Sequence, residues 1–366
     1  MQFDVFISAV IYLTTFLTAG TCAYFGIKYK KTTLKILAIL LPFLIATFRY
    51  STGTDTLTYR QFYTDIGNES FAASWSRVLL GAMEPVIVLI AKLGNALHLD
   101  ASFMFGVFAL ITLIFLYATA KNFTKSRVWI FYTAMLFFIF PESLNIMRQI
   151  AAVSVQAYVL SYIFRNFRDK QKTNVWRCIL LTIFAATLHY SSILLVPVLF
   201  LPLLTRKVPT RSLILVLSVL AAVCALGYPY LLAMIGDIGI ISEKHLGTFA
   251  ATDGSLINVK FILSLVMAIV FLINYRRTKN LRDKNLGIIL LGGTVYSSVG
   301  FYSGYLGRLA ILFWVFIIVA IVEMIWQIFE KDRDRITVVL GSSAVYFVLY
   351  YSVLGLGAIS MLNFAL

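Results

Sequence analysis

Apolar runs long enough to cross a bilayer recur along the whole chain, and short loops rich in Lys and Arg separate them. A helix needs about 20 apolar residues to cross a hydrocarbon core ~30 Å thick, and helices satisfy every backbone polar group internally there. Residues 102–120 and 309–329 are runs of this kind. With 60% of residues hydrophobic and only 13% charged, the chain has too little polar surface to cover its apolar surface in water. The pattern predicts an all-α polytopic integral membrane protein, a single multi-span membrane domain over residues 1–366. About 11–12 transmembrane helices are expected, short and broken ones included.

The formal net charge of +15 would suit a nucleic-acid binder, but its distribution has a different meaning. Of the 31 Lys and Arg residues, 23 fall in Lys28–Lys35, Lys121–Arg127, Arg165–Arg177, Arg206–Arg211, Arg276–Lys284 and Lys331–Arg335. Short loops with such an excess stay on the cytoplasmic side of a membrane. The charge therefore sets orientation, and no nucleic-acid partner is implied. Cys22, Cys178 and Cys224 lie in or beside apolar runs, with neither metal-ligand nor disulfide spacing.

These loops fix the expected order of crossings. The residues to about Tyr24 form a first span, too long for a signal peptide, and a second from about Leu37 returns outside near Tyr50. An odd number of crossings must then precede the next basic loop, and 102–120 supplies one. Residues 50–100 become an external lid, with the amphipathic stretch 85–99 interfacial or re-entrant. Spans follow at 128–146 and 149–165. Only 28 residues separate Arg177 from Arg206, both cytoplasmic by charge, too few for two full crossings. A pair of short or broken helices meeting around His189–Ser192 resolves the parity, because such breaks are tolerated inside protein or beside a watery cavity. Further spans are expected at 212–235, 259–275, 285–304, 309–329 and 336–364, with 236–258 as a second external segment.

Sorted this way, the unusual polar residues converge on the outer side. Arg49 ends the second span, and Asp55 and Tyr59 follow it. Glu84–Pro85 opens the amphipathic helix, with Pro at the first helical position, where its missing N–H does no harm. Arg148 and Gln149 begin a span; Asn145, Gln149 and Gln156 have the spacing of one helix face. His189–Ser192 occupies the break, and Arg308 follows Tyr296, Tyr302 and Tyr305. Each has a plainer reading. Arginines at span ends snorkel to headgroups, tyrosines form aromatic belts, and a Glu at a helix start gains ~0.3–1 kcal/mol from the dipole. The joint pattern argues for more. Arg49, Arg148 and Arg308 lie at one outer level on different spans, and the arginine fork holds phosphate oxygens even in a poorly hydrated site. That suggests a polyanionic ligand such as a lipid-linked pyrophosphate. Asp55, Glu84 or His189 could take a proton from a sugar hydroxyl, and Tyr59 and Tyr305 could stack on sugar rings. With no HExxH, no Asp-rich motif and only His98, His189 and His245, neither a metal nor another cofactor is expected.

The order R-x-x-x-G-x-D-x-x-x-Y (Arg49, Gly53, Asp55, Tyr59), E-P (Glu84, Pro85), N-x-x-R-Q (Asn145, Arg148, Gln149), H-x-S-S (His189, Ser191, Ser192) and G-R (Gly307, Arg308) resembles the EpsG family. That family is similar in role to the Wzy-type polymerases of O-antigen, capsule and exopolysaccharide. The resemblance covers about residues 49–308 and implies a GT-C-like membrane glycosyltransferase, metal-independent, in the bacterial cytoplasmic membrane with its active site facing outside. It further implies undecaprenyl-pyrophosphate-linked glycan substrates, membrane lipids, and chain-length regulator and flippase proteins as partners. Two other readings stand beside it. A flippase of the same lipids would also use a broken helix and polar cavity, and a structural subunit of an export complex would need no chemistry at all.

Overall fold

The computed structural model describes residues 2–49, 55–124, 127–237, 259–298 and 310–349. Among these, all regular structure is helical and no strand occurs. Four helices have segments long and apolar enough to cross a membrane, Ala9–Lys28, Ser102–Phe123, Phe261–Thr278 and Ile311–Ile328, and shorter apolar helices accompany them. The chain is an all-α polytopic membrane protein. It divides into two compact units. The first comprises Met1–Ser161, Asn174–Ile193 and Val322–Leu366; the second comprises Tyr162–Thr173 and Leu194–Ile321.

In the first unit, α1 (Gln2–Lys28) packs on α2 (Thr32–Thr47), and α2 on α6 (Ser102–Phe123). Pro42 sits inside α2 and offers no N–H to the carbonyl of Ala38 four residues earlier. The Tyr132 hydroxyl donates to that carbonyl at 3.1 Å, so the vacancy is filled from a neighbouring helix, as a dry environment requires. Tyr132 belongs to α7 (Val128–Phe138), which is followed by α8 (Phe140–Ser143). The single span expected over 128–146 is thus interrupted. Pro141 lies at the start of α8; it lacks an N–H and disfavours helical backbone at the residue before it. Behind this break, Phe16 meets Phe137, Phe140 and Phe347 edge-on at 5.3–5.9 Å between centroids.

The stretch between α2 and α6 holds three helices, α3 (Thr56–Asn68), α4 (Phe71–Leu79) and α5 (Pro85–Ala96). Ser70 caps α4 by accepting from the N–H of Ala73, and Gly81, at φ +68°, turns the chain between α4 and α5. Helix α5 packs on α3 so closely at Gly94 that a β-carbon there would run into the Tyr63 hydroxyl. That hydroxyl donates to the carbonyl of Leu99 at 2.7 Å. Helix α9 (Met147–Arg168) meets α6 through a buried bond from Asn122 Nδ2 to Ser161 Oγ, 2.9 Å.

Helix α10 (Val175–Leu188) ends at the expected break. His189 is extended (φ −160°, ψ 116°), a 3-10 turn runs over Tyr190–Leu195, and α11 (Val196–Lys207) follows with Pro197 in its first turn. The second unit continues through α12 (Thr210–Asp237), α13 (Val259–Thr278) and α14 (Leu281–Ser298). Its most extensive helix contact, between α13 and α14, brings Gly287 against Leu272. The last helices are α15 (Ile311–Ile328) and α16 (Asp332–Leu349). The external segment expected at 236–258 falls almost wholly outside the described residues.

Candidate active site

Glu84 caps α5 by position but not by chemistry: its side chain makes no bond to the helix start. The carboxylate, 5% exposed, turns away and meets residues far along the chain. Oε1 lies 2.6 Å from Nδ1 of His189, and Oε2 pairs with Nη1 of Arg148. An ionised carboxylate only accepts, so Nδ1 of His189 carries the proton, and Nε2 is the nitrogen left to exchange one. The neighbouring Tyr190 hydroxyl donates to the carbonyl of Met83 at 2.9 Å, tying the break in α10–α11 to the residue before Glu84.

Arg148 stands in the first turn of α9, its guanidinium 5.4 Å from the centroid of the buried Tyr59 ring. Glu84 precedes α5 and lies outside the four span-length helices. Burial alone would raise its carboxyl. The bond from His189 and the charges of Arg148 and His189 outweigh that and hold it below its ordinary value of 4.5. The site therefore keeps a fixed negative charge beneath an imidazole, with a fixed positive charge beside it.

Arg49 is 2% exposed and faces the same region from the end of α2. Its guanidinium covers the Phe105 ring at 4.4 Å, Nη1 donates to the carbonyl of Ala46 at 3.0 Å, and Nη2 reaches Met147 Sδ at 3.7 Å. Met147 directly precedes Arg148, so the two arginines share a neighbour. Nε of Arg49 and Nε of Arg148 are both buried without a hydrogen-bond partner among the described residues. Buried donors of this kind cost stability until something accepts from them.

Asp55 lies at the start of α3, and its N–H donates to Asn145 Oδ1 at 3.1 Å, which joins the start of α3 to the turn before α9. Asn145 precedes α9 and so does not share the helix face of Gln149 and Gln156; both glutamines are buried on α9. Tyr305 and Arg308 lie outside the described residues, as do Gly53 and Gly307. Of the sequence candidates, the structure thus gathers Glu84, His189, Arg148 and Tyr59 directly, with Arg49 and Asp55 joined to the same region through Met147 and Asn145.

The sequence profile of the EpsG family matches residues 32–365. The chain belongs to the EpsG family. EpsG family members are Wzy-like polymerases, which gives this multi-pass membrane protein a polysaccharide-polymerase type of function. No curated protein and no solved structure matches the chain.

One participant in this EpsG-family site escapes motif reading. Arg60 donates from Nη2 to the carbonyl of Arg49 at 2.9 Å and also covers Phe105, at 5.3 Å. The signal for it was present: Arg60 is one of the eight basic residues outside the topology-setting loops. Its bond to the motif arginine is to the backbone, and it also pairs with Asp100 at 3.8 Å, so motif chemistry alone does not single it out.

Proposed function

We propose that this EpsG-family protein is a polysaccharide polymerase that joins undecaprenyl-pyrophosphate-linked repeat units at the outer face of the cytoplasmic membrane, without a metal. The growing glycan leaves its lipid pyrophosphate and is transferred to a hydroxyl of an incoming lipid-linked unit. The observation that carries this reading is the carboxylate of Glu84 bonded to His189 Nδ1 on one side and to Arg148 on the other. In the proposed step, His189 Nε2 takes the proton of the acceptor hydroxyl as its oxygen bonds to the anomeric carbon of the donor. The bond from that carbon to the pyrophosphate oxygen breaks, and the leaving group departs with the electron pair.

Glu84 fixes the imidazole tautomer and steadies the imidazolium that forms, as in other carboxylate–histidine pairs. Arg49, Arg148 and Arg308 provide the positive charge toward which the pyrophosphate leaves. The unpaired Nε donors of Arg49 and Arg148 support such a ligand. Tyr59, Gln149 and Tyr305 are assigned to the sugars. Asp55, bonded through its backbone to Asn145, holds the loop that carries Arg49. Residues 50–100 and 236–258 form the outer lid, within one membrane domain, and chain-length regulator and flippase proteins act on the same glycan.

The test uses purified protein in liposomes with lipid-linked repeat units on the side of Glu84. Lengthening of the glycan is the expected result. Movement of the lipid across the bilayer without lengthening would assign a flippase instead.

A further inference from the structure

Two of the basic loops and the end of α11 meet at one cavity in the second unit. It encloses about 560 Å³, and its polar lining includes Arg168 and Lys170 after α9, Thr205 of α11, and Asn280, Arg282 and Lys284 around the start of α14. Four cations thus line a space that no carboxylate lines among the described residues. Asp169 accepts from Arg168 Nε at 2.7 Å and Asp283 from Asn274 Nδ2 at 2.7 Å, so two acids temper the charge from outside the cavity.

Lys284 is the residue that stability alone does not explain. It is 9% exposed and stands in the first turn of the 18-residue helix α14, where the helix dipole is already positive. Its Nζ donates to the carbonyl of Thr205 at 2.6 Å and lies 5.9 Å from the centroid of the Tyr275 ring. Neither partner is an anion, and a buried ammonium is costly without one. The start of α14 adds oriented backbone dipoles to the same space, as helix N-termini do where they hold phosphate.

We propose that this cavity binds a phosphate group, supplied by an anionic phospholipid headgroup or by free phosphate. Arg282 and Lys284 meet it from the helix start, and Lys170 closes over it from the end of α9. Basic pockets between membrane helices hold lipid headgroups by this combination of charge and enclosure. The site uses none of the residues around Glu84 and lies at the basic-loop end of its helices, so it can fail independently of the proposed polymerase reaction.

The experiment measures thermal stabilisation of the full-length protein in neutral detergent, titrated with phosphatidylglycerol and separately with inorganic phosphate. Either ligand is expected to raise the midpoint of the wild type. Lys284→Gln and Lys170→Gln should each weaken the apparent affinity about tenfold, the loss of one charge-assisted bond. Lys170 is exposed, so its variant keeps the test valid if Lys284→Gln does not fold. A response to phosphatidylglycerol alone identifies a headgroup site, and a response to inorganic phosphate, alone or with the lipid, identifies a site open to water. Each supports the proposal. No response to either ligand, or an equal loss in the remote control Lys331→Gln, overturns it.

Discussion

One carboxylate with two partners organises the candidate site at the scale of residues. Glu84 is buried, so its charge is tolerable only while Arg148 and His189 remain on its two oxygens. The sign of its pH dependence follows. A carboxyl held below its ordinary value of 4.5 in the folded chain binds protons more readily when unfolded. Its stabilisation is complete above pH 4.5 and is lost as pH falls through the depressed value. The thermal midpoint of the wild type should therefore drop on acidification below pH 4.5 more steeply than that of Glu84→Gln, measured in the same detergent. Equal slopes would mean that Glu84 is not the ionised centre of the cluster. The residue types at this site were legible in the sequence, because charge and imidazole among apolar runs need a reason. Their pairing was not: Glu84 and His189 lie 105 positions apart, and no spacing rule connects them. Sequence reading also left three candidates for one proton, Asp55, Glu84 and His189; the role proposed above goes to His189, whose Nδ1 lies 2.6 Å from Glu84 Oε1.

Proline decides much at the scale of elements. Pro42 frees a carbonyl inside α2 and Tyr132 takes it, so Tyr132→Phe should cost about 1–3 kcal/mol, the penalty for a buried acceptor left unsatisfied. The thermal midpoint should fall while helix content by circular dichroism stays unchanged. An unaltered midpoint would mean that water or another group reaches the Ala38 carbonyl. Helix periods and breaks differ in how well the sequence announces them. The break at His189 was legible from arithmetic, since too few residues lie between two basic loops. The break at Pro141 was masked by apolar residues on both sides that read as one span. Helices α3 and α4 were hidden for the opposite reason, because neither has the length or hydropathy of a span and both merge into a polar stretch.

At the scale of the whole molecule, the basic loops predict sidedness. A single cysteine replacing Gln61 on α3, in a background without Cys22, Cys178 and Cys224, should react with an impermeant thiol reagent added outside intact cells. One replacing Asn280 should react only after permeabilisation. Both positions are exposed, which removes burial as a cause of protection. The reverse pattern would invert the topology and put Glu84 on the cytoplasmic side. The all-α, multi-span class followed from apolar run length and charge placement alone. The division into two compact units did not, because it depends on which helices touch rather than on what any of them contains.

The central claim is that His189, oriented by Glu84, removes the acceptor proton while Arg148 contributes to pyrophosphate departure. Chain growth in liposomes, compared at equal amounts of folded protein, tests it most directly. His189→Gln should slow elongation by at least about a hundredfold, the usual contribution of a general base, and Arg148→Lys should also impair it because the planar fork is lost. Elongation at the wild-type rate in His189→Gln would contradict the account.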